Sequence, residues 1–384
     1  MHGTKQQDGS TGPNDLLGRV IEAEARGDLA EAEKAFGFAR FCEAKLAAAW
    51  LFGDGEGGKC AGPVSLPGVS VPCYLWTLCA GITPTAAFAD KRLAEFGVNV
   101  GLACGHCCRF CSSRAMFRFH QAFRVLGLNP FETGYAIVDP ESVTRVSRDA
   151  KQKAQRGRVL LCTASDAWSP EAQHFALGRG CAEAILNEPG WILRVLTKNA
   201  AVREDFDVFE RHRERVLVGL STTFLSSDQE AARAVEPGAS PPNERVEALV
   251  EAHRRGLRTY GMLCPLIAAF YPDQKKVDEA FEAILPAEPE EIFAEVVNPR
   301  GRNLVMTAVA LRAAGLKSEA DAVDQLRRWK TWSSEAVRLV QMVVDAAERL
   351  YDMERLRVLL YPARLAERDR ETLVRLRKGL VWLK

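Results

Sequence analysis

The chain has 384 residues, enough for one large domain or two ordinary ones, and its 47% hydrophobic content can fill a sizeable core. A net charge of +1 supplies no global field toward nucleic acid or membrane, and no segment approaches the apolar length of a membrane span. Eleven cysteines behind a polar start point to metal ligands or catalytic thiols rather than disulfides, so the expected setting is cytoplasmic.

Residues 1–14 read as a disordered tail. From Asp15 onward Leu16, Leu17, Val20 and Ile21 recur at helical steps. Gly27-Asp28 breaks that helix, and a second, Ala-rich one runs to about Leu51, which predicts a helical hairpin. Cys42 reads as a helix-face core residue, and Asp54 to Gly58 is a flexible loop. Cys60, Cys73 and Cys79 follow among Pro and Gly, as structural residues or as part of a second cluster site. The whole of 1–95 is expected to be a tail plus a helical, Cys-containing extension.

The densest chemical signal comes next, in the stretch Asn99-Val-Gly-Leu-Ala-Cys-Gly-His-Cys-Cys-Arg-Phe-Cys-Ser112. Cys104, Cys108 and Cys111 have the spacing C-x3-C-x2-C, with Phe110 just before the last thiol. Three thiolates on one short loop can hold three irons of a [4Fe–4S] cube and leave the fourth open to a small chelating ligand. Cys104 and Cys107 also form a C-x2-C pair, the first half of a zinc site, although no second C-x2-C or H-x3-5-H pair follows.

Ser113 to Leu126 is predicted helical, ended by Asn129-Pro130, and 135–139 a short strand. A regular alternation then begins. Strands are predicted over 158–163, 191–197, 216–221, 259–265 and 291–297, with helices over 170–186, 202–212, 242–255 and 273–285 between them. With the strand before Cys104 that makes six strands, and such alternation predicts βαβ units and a parallel sheet. Beyond Arg302 the pattern is helical, over 303–314, 318–329, 333–351 and 367–384, a cap or closing piece whose basic residues form a solvated face or a nucleic-acid patch. The chain therefore divides into 1–95, a core over 96–302, and a helical region over 303–384.

The strand ends carry polar residues. Ser165 and Asp166 follow the second strand, Lys198 the third, Ser221-Thr222-Thr223 the fourth, and Arg300 the sixth. A hydroxyl or carboxylate there can accept from an ammonium group, and a lysine can meet a carboxylate as a point charge. Taken singly, such residues are turn or cap formers.

C-x3-C-x-aromatic-C after a first strand resembles the signature of the radical S-adenosylmethionine (SAM) enzymes. Further stretches resemble the spore photoproduct lyase-like branch, often labelled DNA-repair-photolyase-like. They are Ser165-Asp-Ala-Trp-Ser-Pro-Glu171, Leu196-Thr-Lys-Asn199, Val218-Gly-Leu-Ser-Thr-Thr223, and Glu236-Pro-Gly-Ala-Ser-Pro241 with Arg245. The likeness spans about 98–300. It implies an α/β fold, a partial (β/α)6 TIM-type barrel with helical extensions at both ends. It also implies a [4Fe–4S] cluster on Cys104, Cys108 and Cys111, with the family spacing choosing Cys108 over Cys107. SAM would be held by Ser165, Asp166, Lys198 and Ser221. The implied activity is lyase-like: reductive cleavage of SAM to a 5′-deoxyadenosyl radical for hydrogen abstraction. Cys162 matches, with two intervening residues, the cysteine that donates a hydrogen atom in the lyases. Phe110 and Ser112 stand where the lyase places a tyrosine. A reduced flavodoxin or ferredoxin is the implied electron donor. The substrate is a nucleic-acid base or, alternatively, a peptide or small molecule, and a non-catalytic zinc or iron–sulfur binding module is the rival of another class.

Overall fold

The computed structural model describes residues 60–162, 164–376 and 379–383. The predicted tail, helical hairpin and Cys42 lie outside these residues, as does the side chain of Cys60. The chain begins with β1 (Cys60–Val64), β2 (Cys73–Trp76) and β3 (Ile82–Pro84), then β4 (Phe96–Val98), β5 (Gly101–Ala103) and β6 (Ala136–Val138). The alternating part holds β7 (Arg158–Leu161), β8 (Ile192–Thr197), β9 (Val216–Thr222), β10 (Arg258–Leu266) and β11 (Ile292–Val296), and two further strands follow, β12 (Leu356–Leu360) and β13 (Leu380–Trp382).

Nine strands form one sheet in the order β13-β12-β11-β10-β9-β8-β7-β4-β3. Eight of these run parallel, and β3 alone is antiparallel, on the edge beside β4. Among the described residues no ladder joins the two ends. The sequence predicts six such strands and a helical C-terminal region. The six stand as β4 and β7–β11, but Leu356–Leu360 and Leu380–Trp382 extend the sheet instead of a helical cap. Leu-Arg-Val-Leu-Leu is a short apolar run whose periodicity does not distinguish strand from helix. Within 60–95 the extension is strand-forming as well, with one short helix over Ala86–Asp90.

Parallel strands are buried on both faces and read as continuous apolar runs; β9 is buried along its whole length. Helices cover one face, among them Pro242–Arg254, Gln274–Ile284 and Trp329–Leu350, whose apolar sides join the large core. The inner face is filled by alternate residues: Leu160, Leu217, Tyr260, Phe293 and Leu359, with Leu93 and Ala94 packed on them. Arg194 is buried among them, its guanidinium 4.6 Å from the Tyr260 ring centre and paired with Glu291 at 2.9 Å. These side chains close the bottom of the sheet and leave the C-terminal strand ends open.

Several predicted helices are broken. Ser113–Leu126 is two short helices, Ser113–Met116 and Gln121–Leu126, the second capped by His120, whose Nδ1 accepts from Ala122 N–H. The 170–186 helix breaks at Ala176, where φ is +49°. A second sheet, β1-β2-β6-β5, lies beside the first. The chain passes from β4 in the large sheet to β5 in the small one within three residues, and the Asn99 carboxamide between them accepts from Ala164 N–H at 2.7 Å. The cysteine loop therefore leaves the small sheet, one short strand later than predicted.

Candidate functional site

The loop after β5 is built by backbone bonds and by two close approaches. Cys111 N–H donates to Cys108 C=O at 3.1 Å, and Arg109 N–H reaches Val235 C=O at 2.8 Å. Gly238 N–H donates to His106 C=O at 3.1 Å, and a Cβ on Gly238 would lie 2.3 Å from the Gly105 carbonyl oxygen. A Cβ on Gly105 would itself lie 2.4 Å from Glu171 Oε2. Arg114, buried, donates to the carbonyls of Cys104 and Tyr135, both at 3.2 Å, and stacks on the Tyr135 ring. Each bond removes a way for the loop to move.

Cys104, Cys108 and Cys111 open on one cavity of about 880 Å³, counted out to its mouth. Burial pushes the Cys104 and Cys108 thiols well above their ordinary range, reinforced by Glu171 at Cys104 and by Glu236 at Cys108. Cys107 does not line the cavity. Its φ is +50°, and its Sγ turns toward the carbonyls of Cys104 and Tyr135 at 3.8 and 4.0 Å. Among the described residues no three His, Cys, Asp or Glu side chains gather closely enough for a single metal ion.

The strand ends meet the loop in the same cavity. Cys162, Ser165, Asp166, Lys198 and Ser221 all line it, so these five strand-end residues meet the three motif cysteines. Asp166 is tied into the β8 end: it accepts from Trp168 N–H at 2.9 Å, Lys198 N–H at 2.8 Å and the Thr197 hydroxyl at 2.8 Å. The Ser165 hydroxyl is buried beside the Cys162 thiol and has no other partner among the described residues. Burial raises the Cys162 thiol well above its usual range. Ser221 Oγ donates to the Cys264 carbonyl at 2.6 Å. Lys198 Nζ donates to Thr223 Oγ1 at 2.9 Å, pairs with Glu236 at 2.7 Å, and lies 5.2 Å from the Phe110 ring centre.

Glu236 also pairs with Arg245, which donates to the Ser221 carbonyl at 2.8 Å. Burial alone would raise the Glu236 carboxyl, but Arg245 and Lys198 hold it down at about 2. The group Lys198, Arg245 and Glu236 thus keeps one net positive charge beneath the loop. Asn303, which starts the helix Asn303–Ala313, donates to the carbonyls of Phe110 and Asn298, both at 2.9 Å.

Sequence reasoning missed His106, Glu171, Glu236, Cys264 and Glu295 as individual residues. Glu171 and Glu236 lie inside motif stretches already singled out, and the signal was available: a carboxylate amid apolar and turn residues needs a buried partner. His106 is almost fully buried on the cavity wall, with Nδ1 3.4 Å from Asp166 Oδ2 and Nε2 without a partner among the described residues. Cys264 and Glu295 come from β10 and β11 on the far wall, where Glu295 accepts from Lys91 at 2.9 Å and Tyr361 at 2.8 Å. Only the fold brings these residues together. Arg300 does not line the cavity. Cys73 is buried in the core with its thiol pushed up to about 12, and Cys79 is exposed.

No family model matches the chain. It is similar to an uncharacterized protein of Acidianus two-tailed virus, at 24% identity over 222 residues that cover 56% of this chain and 71% of that one. It is also similar to an uncharacterized protein of Methanocaldococcus jannaschii, at 27% identity over 175 residues covering 45% and 61%. Among solved structures, the spore photoproduct lyase complexed with dinucleoside spore photoproduct superposes with a TM-score of 0.51 at 14% identity, covering 72% of this chain and 79% of that one. That likeness is one of fold, a mixed α/β arrangement.

Proposed function

We propose that this protein is a radical SAM enzyme whose [4Fe–4S] cluster is held by Cys104, Cys108 and Cys111. The reading is carried by one observation: the three thiols of the motif and the polar strand ends share a single cavity. The donor set fits a cluster. Three thiols on one loop open on the same cavity, and Lys198 and Arg245 oppose the rise that burial and Glu236 impose on Cys108. The corners of a cube also hold cysteines farther apart than a single zinc ion does.

When bound, cluster and SAM supply a 5′-deoxyadenosyl radical that abstracts hydrogen. The chain's own residues bind and exclude. Lys198 would meet the SAM carboxylate, with Glu236 fixing its ammonium in place. Ser165 offers its unsatisfied hydroxyl to the SAM ammonium group. Asp166 already accepts three donors, so its part is chiefly to lock the β7 and β8 ends. Ser221 is aimed by the Cys264 carbonyl. Cys162, buried on the wall, would return a hydrogen atom to a substrate radical. The apolar inner face beneath the cavity keeps water from the reacting centre.

A nucleic-acid base is the substrate class we put forward, by analogy with the dinucleoside-bound neighbour. The cysteines that carry free thiols suit a reducing, cytoplasmic setting, and a reduced flavodoxin or ferredoxin would supply the electron. The direct test is substitution of the ligands. Cys108→Ala should fold and lose SAM cleavage, whereas Cys107→Ala should keep it. Full cleavage by Cys108→Ala would reject the assignment. Acceleration of SAM consumption by ultraviolet-irradiated oligonucleotide, and not by peptide, tests the substrate class.

A further inference from the structure

Glu171 has no role in the reading above, yet its carboxylate is set directly against the cysteine loop's backbone. It is only 2% exposed. Its Oε1 and Oε2 each lie 3.0 Å from Gly105 N, and Oε1 accepts from the Ser169 hydroxyl at 2.5 Å. Neither Lys nor Arg pairs with it among the described residues. The absence of a Cβ at Gly105 lets the carboxylate approach this closely. Burial raises the Glu171 carboxyl above the usual range, and the Ser169 hydroxyl and the Gly105 N–H oppose that rise.

We propose that Glu171 is a positioning residue that clamps the loop at Gly105 and, when ionised, makes the cluster harder to reduce. This rests on the cluster reading given above. Reduction moves one electron from the reductant to the cluster and adds a negative charge there. A carboxylate held nearby in a poorly polarisable interior opposes that added charge, and hydrogen bonds and charges around a cluster are known levers on its potential.

The test uses the full chain, reconstituted anaerobically, with Glu171→Gln and Glu171→Ala. Gln keeps the shape and an acceptor oxygen for Gly105 N–H. It should retain wild-type iron and shift the midpoint potential, read by optical titration, to a less negative value. Ala removes the clamp. In the metal-free protein it should speed hydrogen exchange at the Gly105 amide on the order of tenfold, as loss of one buried hydrogen bond does. A wild-type potential in Glu171→Gln at full iron content would overturn the charge role. Unchanged Gly105 exchange in Glu171→Ala would overturn the clamp. A wild type that takes up no iron would instead overturn the proposed function, and this inference with it.

Discussion

At the scale of the residue, the site is set by buried charges that have few alternatives. Glu236 sits between Lys198 and Arg245, and removing its charge leaves two cations facing each other under the loop. Breaking such a buried pair costs on the order of 3 kcal/mol. The pH dependence follows. Glu236 titrates near 2 in the folded chain, below the usual value of 4.5, so its contribution is full above pH 4.5 and is lost as pH falls toward 2. Glu236→Gln should therefore be less stable at pH 7 and show a flatter decline in melting temperature through that acid window. An unchanged slope would mean that the carboxylate is not held down by its partners. Legibility at this scale was uneven. Cys104, Cys108 and Cys111 could be picked out as one group because their spacing is local, and the structure opens all three on the cavity. Cys264 and Glu295 could not, because each is one polar residue on a strand and its place on the cavity wall depends on strand order.

At the scale of the element, the loop is shaped by what it docks against. The segment 235–240 and the start of the 170–174 helix hold it from two sides through Val235, Gly238 and Glu171. Gly238→Ala would bring a methyl against the Gly105 carbonyl oxygen, and overpacking of this kind costs about 1–3 kcal/mol. We expect lower iron retention after gel filtration, with the far-ultraviolet circular dichroism unchanged. Full retention would show that the contact relaxes freely. The strands β7–β11 were legible as apolar runs bounded by turn residues. The helix breaks at His120 and Ala176 were not, because a side-chain cap and a left-handed residue leave little trace in periodicity.

At the scale of the whole molecule, β12 and β13 complete the inner face. Leu359, Val381 and Leu383 join Tyr260 and Phe293, and Tyr361 with Lys91 ties β11 to the segment before β4 through Glu295. A chain ending at Arg302, the boundary that the sequence favours, should expose this apolar layer. It is expected to lose cooperative melting and to be cleaved rapidly by protease, while a well-folded 1–302 fragment would contradict the architecture. The sequence pattern missed these strands because a five-residue and a three-residue run are too short to show a period.

One measurement addresses the proposed cluster directly: anaerobic reconstitution, an iron count per chain, and an assay for 5′-deoxyadenosine after reduction with SAM present. We predict about four irons, the content of one cube held by the cysteine motif, together with deoxyadenosine. Zinc in place of iron, or a fully loaded cluster that yields no deoxyadenosine, would contradict it.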